Sequence, residues 1–151
     1  MLSAQNIAQD SDLMANSNRD CVRVWDTFDS YVAHWRTLGE QLYPASFAME
    51  PSSPRASSIR GKIANKHFSI NAGSVLVADR LFIEVLVVAE FLELGVRKES
   101  LRFLISPFGD FHQADGAKVI GAFEEKSNYT VLVKFLVQVL KTSMPCLVSA
   151  N

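Results

Sequence analysis

Asp110 and His112 stand two residues apart in a stretch that reads as a short strand. Alternation along a strand would turn both to one face, where a carboxylate could orient an imidazole for proton transfer. The competing reading is a polar pair on an exposed hairpin, and it is the one favoured. The other histidines, His34 and His67, have no cysteine, histidine or carboxylate at a metal-ligand spacing. Loops of the G-x-G-x-x-G or Walker type are absent, as are H-E-x-x-H, G-x-S-x-G and C-x-x-C. No catalytic residue, metal ligand or cofactor is therefore assigned from the sequence.

Two other groups could bind without catalysing. Arg55, Arg60, Lys62 and Lys66 fall in a segment, 51–78, that contains no acid. Serines lie among them, so this segment is the best candidate for holding an anion or a phosphate. Aromatic interleaving, which single-strand binders use for stacking, is confined to Phe68. Trp25, Tyr31 and Trp35, with His34 beside them, could instead line an apolar ligand pocket between a helix and a sheet. Ordinary core packing is the simpler account of that stripe.

These residues need elements to position them. From Cys21 the apolar positions run through Trp25, Phe28, Val32, Trp35 and Leu42, with Gly39 in register, at alternating gaps of four and three. That is one broad face of a helix starting near Ser17 and stopped by Pro44, or earlier by Gly39 acting as a C-cap. Residues 1–16 read as a flexible terminus or one short helical turn. Residues 44–58, with three prolines and several serines, read as a connecting loop.

The middle of the chain reads as strands. Ile59–Ile63 and His67–Asn71 flank a tight turn at Ala64-Asn65-Lys66, and Asn71-Ala72-Gly73-Ser74 reads as a second turn. Residues 81–91 alternate in the manner of a half-exposed strand, with a helix as the rival. A hairpin turn at 94–98 then leads to a returning strand, Glu99–Ile105. After Pro107-Phe108-Gly109 comes a short strand, 110–113. Asp115-Gly116 marks a further hairpin, followed by a last strand over 118–123. Residues 128–142 present Val131, Leu132, Phe135, Leu136 and Val139 on one helical face, with a strand as the rival because of the valines, and Pro145 stops them. Residues 146–151 read as a flexible C-terminus.

The expected fold is thus α+β: an N-terminal amphipathic helix, an antiparallel meander of about four to six strands and a C-terminal helix, with both helices on one face of the sheet. One domain over 17–145 accommodates it. A chain of 151 residues can bury about 68–70% of its unfolded surface without disulfide or metal support.

Charge and cysteine use narrow the function classes. The net charge of −1 argues against a dedicated nucleic-acid binder. Residues 1–50 carry seven acids and three bases, so an acidic front faces a basic middle, within one chain or across a dimer. Cys21 and Cys146 form no disulfide framework, and no secretory signal pattern opens the sequence, which together suggest a cytoplasmic protein. No apolar run is long enough to span a bilayer. The leading expectation is a small, non-enzymatic binding or adaptor protein. It would be dimeric if the long apolar strand over 81–91 lies at a sheet edge. The alternatives are a small-molecule or catalytic domain with its pocket between helix and sheet, and anion contact through 55–66.

Overall fold

The computed structural model describes residues 3–114, 118–120 and 127–145. A first helix, α1 (Ala4–Leu42), precedes seven strands: β1 (Phe47–Met49), β2 (Ser58–Ile63), β3 (Lys66–Val77), β4 (Arg80–Phe91), β5 (Val96–Ile105), β6 (Phe111–Gln113) and β7 (Lys118–Ile120). A second helix, α2 (Ser127–Lys141), follows. The strands form one antiparallel sheet whose spatial order is their sequence order. This is the expected α+β meander with helices packed on the sheet. The expected turn at Asp115-Gly116, the last strand beyond Ile120, and residues 146–151 with Cys146 lie outside the described residues.

Helix α1 is 39 residues long and starts far earlier than the apolar stripe suggests. Ser3 caps it, its hydroxyl accepting the Asn6 N–H at 3.2 Å. No glycine or proline interrupts residues 4–38, so nothing breaks the helix once it is capped. Gly39 does not end it. The glycine lies inside the last turns, where a Cβ would stand 2.3 Å from the Phe47 ring. Its bare backbone is what lets β1 sit against the helix. The helix stops at Tyr43, whose N–H donates to the Gly39 carbonyl before Pro44.

The connector over 44–58 contributes β1, because Phe47 and Met49 alternate with Ala48 and are buried. Two-residue turns with positive φ join β2 to β3 at Ala64-Asn65, as expected, and β3 to β4 at Ala78-Asp79. The turn expected at 71–74 is absent. β3 runs through it, and Gly73 pairs with Glu84 in mid-strand. Residues 80–91 are strand, and β5 begins at Val96, directly after a turn closed by Gly95 at φ 63°. The long apolar β4 is the centre of the sheet, hydrogen-bonded to β3 and β5, while both edges are three-residue strands. β4 is therefore not the strand left at an edge, the placement from which a dimer was expected.

One sheet face carries the core. In β4 it is Leu81, Ile83, Val85, Val87, Ala89 and Phe91, matched by Phe68 and Ile70 on β3 and Phe103 and Ile105 on β5. Val24, Phe28, Val32 and Trp35 of α1 and Leu132, Phe135 and Val139 of α2 close over it. Trp35 is fully buried between Phe103 and Phe135, with ring centroids 6.3 and 5.5 Å away. Each such side chain contributes roughly 1.5–3 kcal/mol on burial. Among the described residues no helix covers the opposite face. There Arg102 bridges Glu84 (3.1 Å) and Glu99 (2.8 Å), and Arg97 lies 3.4 Å from Glu90.

Candidate interaction surface

The aromatic stripe is a packing surface. Trp35 has no exposed area. Tyr31 stacks on Phe111 with centroids 4.9 Å apart, and its hydroxyl donates to the Gly109 carbonyl at 2.6 Å. Burial, and secondarily the charge of Asp110, raises the ionisation of Tyr31 above the ordinary phenol value. The Trp25 indole N–H donates to Ser74 Oγ at 3.1 Å. His34 is exposed, on the other side of the helix. The four residues therefore share one helix but not one cavity. Rings meet rings where the pocket reading needs space.

The basic segment also divides. Arg60 and Lys62 are two apart on β2 and turn to the open sheet face, while Lys66 opens β3 on the helix side. Its ammonium donates to the carbonyls of Leu140 (3.4 Å) and Thr142, the unsatisfied end of α2. Burial first, then the nearby Lys98 charge, lowers the Lys66 pKa. Lys98 donates to the Ser143 carbonyl at 3.0 Å. The two lysines are therefore a cap for α2. Arg55 sits at φ 57°, its backbone N–H on the Asp29 carboxylate at 3.0 and 3.2 Å. Only Arg60 and Lys62 remain as a pair facing solvent.

Asp110 and His112 separate as well, because β6 starts at Phe111 and alternation does not reach back to Asp110. The Asp110 N–H donates to Ser106 Oγ at 3.0 Å, and its carboxylate is close enough to act on Tyr31 on the helix side. His112 lies on the open face, edge-on to Phe82 at 5.2 Å. No group of three metal-ligating side chains occurs among the described residues. Among them, too, no helix is long and apolar enough to cross a membrane.

The sequence reading missed a surface at the start of α1. At 1.5 Å per residue the helix is about 58 Å long. Its buried residues, Val24, Phe28, Val32, Trp35 and Gly39, all lie in the second half. From Ala4 to Arg19 no residue is buried, and this half is an exposed arm. On it Ile7, Met14 and Val22 are 54%, 65% and 54% exposed. A signal was present. Ile7, Met14, Cys21, Phe28, Trp35 and Leu42 recur at every seventh position, so the line that enters the core at Phe28 begins on the arm. The body end of the arm is pinned. Asp20 pairs with Arg80 at 3.8 Å, and Arg23 and Arg80 lie over the Phe108 ring at 5.7 and 5.0 Å. No family model matches this chain, and neither a curated protein nor a solved structure does.

Proposed function

We propose that this chain is a non-enzymatic binding or adaptor protein that acts through protein–protein contacts, and that the projecting half of α1 is the surface it offers. The observation that carries this reading is the exposure of Ile7 and Met14 on the same sevenfold line that buries Phe28 and Trp35. An isolated helical segment of this length is marginal in water. An apolar line on it gains stability only when something covers it. Rigid attachment to the sheet lowers the ordering cost of presenting such a helix to a groove or to another helix.

The alternatives draw less support. A pocket beneath α1 would compete with the contacts of Trp35 for the same volume. Anion contact would rest on Arg60 and Lys62, two cations where nucleic-acid binding uses a broad basic stripe.

The test compares the native chain with an Ile7→Asp/Met14→Asp variant. Both side chains are mostly exposed, so melting temperature should stay nearly unchanged, within about 0.5 kcal/mol of stability. Affinity capture from the source cell should then recover partners with the native chain and lose them with the variant. Equal recovery by both would overturn the assignment of the arm.

A further inference from the structure

We propose that the outer edge of β3 over Gly73–Val77 pairs with the same segment of a second copy, antiparallel about a two-fold axis at Leu76. This contact is separate from the arm. β2 accompanies β3 only from Lys66 to Asn71, whereas β3 continues to Val77 with β4 alone beside it. One bond fixes where the free backbone groups point. The Ala72 N–H faces away from β4 and donates to the Ser57 carbonyl at 2.9 Å. Outward and inward groups alternate along an antiparallel strand, so the N–H and C=O of Ser74 and Leu76 also point outward. Among the described residues no strand meets them. Gly73, Ser74 and Leu76 are exposed there, Leu76 by 44%.

Bare edges are ordinarily protected by charge, proline or a bulge. β5 is protected in this way. Among the described residues β6 reaches only Phe103–Ile105, and the rest of β5 carries Arg97, Lys98, Glu99 and Arg102 beside a bulged ladder. The β3 edge has no such device. Phe68–Val77 contains no charged residue and no proline, and its register with β4 is unbroken. The free stretch is closed at one end by Ser57 and at the other by the Ala78-Asp79 turn. A second β3 brings the same length and the same turn. Hydrogen-bonded pairs need outward residues on both strands, and the longest overlap that keeps each turn clear of Ser57 in the other copy is centred on Leu76. Leu76 then exchanges both backbone bonds with its own counterpart, and Val75 opposes Val77 on either side. Leu76 pairs with core-facing Leu81, so the two Leu76 side chains meet on the helix face. There Trp25 is held to Ser74, and Val22, three residues earlier, is 54% exposed. An unrelated strand would satisfy the backbone groups, but the matched length and the leucine contact come with a second copy. Each chain has one such edge, so the contact is isologous and closes as a dimer.

Sedimentation equilibrium of the full chain over a range of concentrations tests this. The native chain should be a dimer. Leu76→Pro removes an outward N–H that β4 does not use, so the chain should still fold by circular dichroism while pairing weakens by about tenfold or more. Leu76→Lys sets two cations together across the axis and should weaken pairing with the β3 backbone unchanged. The amide at position 76 should be protected from hydrogen exchange in the native dimer and exchange freely in Leu76→Lys. A monomeric native chain, a dimer that both variants leave intact, or a freely exchanging Leu76 amide in the native dimer would overturn the pairing. A native dimer lost with Ile7→Asp/Met14→Asp and kept in both Leu76 variants would move the contact to the arm. A native monomer that captures a foreign protein through Leu76 would overturn the second copy as the occupant.

Discussion

Tyr31 shows how a residue read as a ligand contact serves instead as a joint. Its ring lies on Phe111 and its hydroxyl holds the turn at Gly109, so it ties α1 to the start of β6. Because burial raises its folded pKa, its contribution is complete below the unfolded value of about 10 and is lost as pH rises through the folded one. Tyr31→Phe should therefore melt about 1 kcal/mol less stably at neutral pH. It should also lose stability less steeply than the native chain in thermal melts taken into the alkaline range. A native chain with the same alkaline slope would remove Tyr31 from that role. The gaps of three and four residues made Tyr31 and Trp35 legible as one face, and the same geometry assigns His34, one position away and about 100° around the helix, to the other side. Lys66 was less legible. Its sign and position were readable, but the carbonyls it serves belong to Leu140 and Thr142, far along the chain.

The elements divide by how local their cause is. β4 and α2 were readable as elements because each is a long apolar run. Their type rested on a preference between period two and period 3.6, decided for β4 by Glu84 and Glu90 sharing one face and for α2 by Lys134, Gln138 and Lys141 sharing another. The hairpin at Ala64-Asn65 was readable because asparagine tolerates positive φ. Its counterpart at Ala78-Asp79 was not, since alanine gives no turn signal, while Asn71-Ala72-Gly73-Ser74 gave one and is strand. The reason lies across the sheet. Asn71 pairs with Leu86 across the sheet, and its amide donates to the Leu86 carbonyl at 3.3 Å, a bond that exists only once β3 and β4 pair. Interaction between elements also fixes the end of α2. Lys66→Met should cost about 1 kcal/mol by leaving carbonyls at that end without their donor, and Lys66→Arg should recover most of it in urea melts. Equal loss in both would mean the charge is not what holds the helix end. The length of α1 had a local cause too, a serine cap and no breaker, but the stripe from Cys21 onward drew the boundary to Ser17 instead.

At the scale of the whole molecule, both helices close over one sheet face and meet each other through Trp35 and Phe135. Removing α2 by ending the chain at residue 126 should expose Phe68, Phe103 and Trp35 together. The expected result is loss of the cooperative melt and strong binding of an apolar dye, and a truncated chain that still melts sharply would contradict the shared core. The helix–sheet–helix order was legible because the polar connector and the turns separate the periods cleanly. The exposure of the first half of α1 was not, because Ile7 and Met14 continue the same sevenfold line as Phe28 and Trp35 and only their burial tells the two halves apart. The unbroken strand order has a last consequence, for the time course of synthesis. Every strand pairs with its immediate predecessor, so the sheet can grow hairpin by hairpin as the chain leaves the ribosome. α1 can cover its own share of the apolar face from the outset, but the share belonging to α2 stays bare until Ser127–Lys141 has followed the last strand out. The nascent protein is thus most in need of a chaperone in the interval between the emergence of β5 and that of α2.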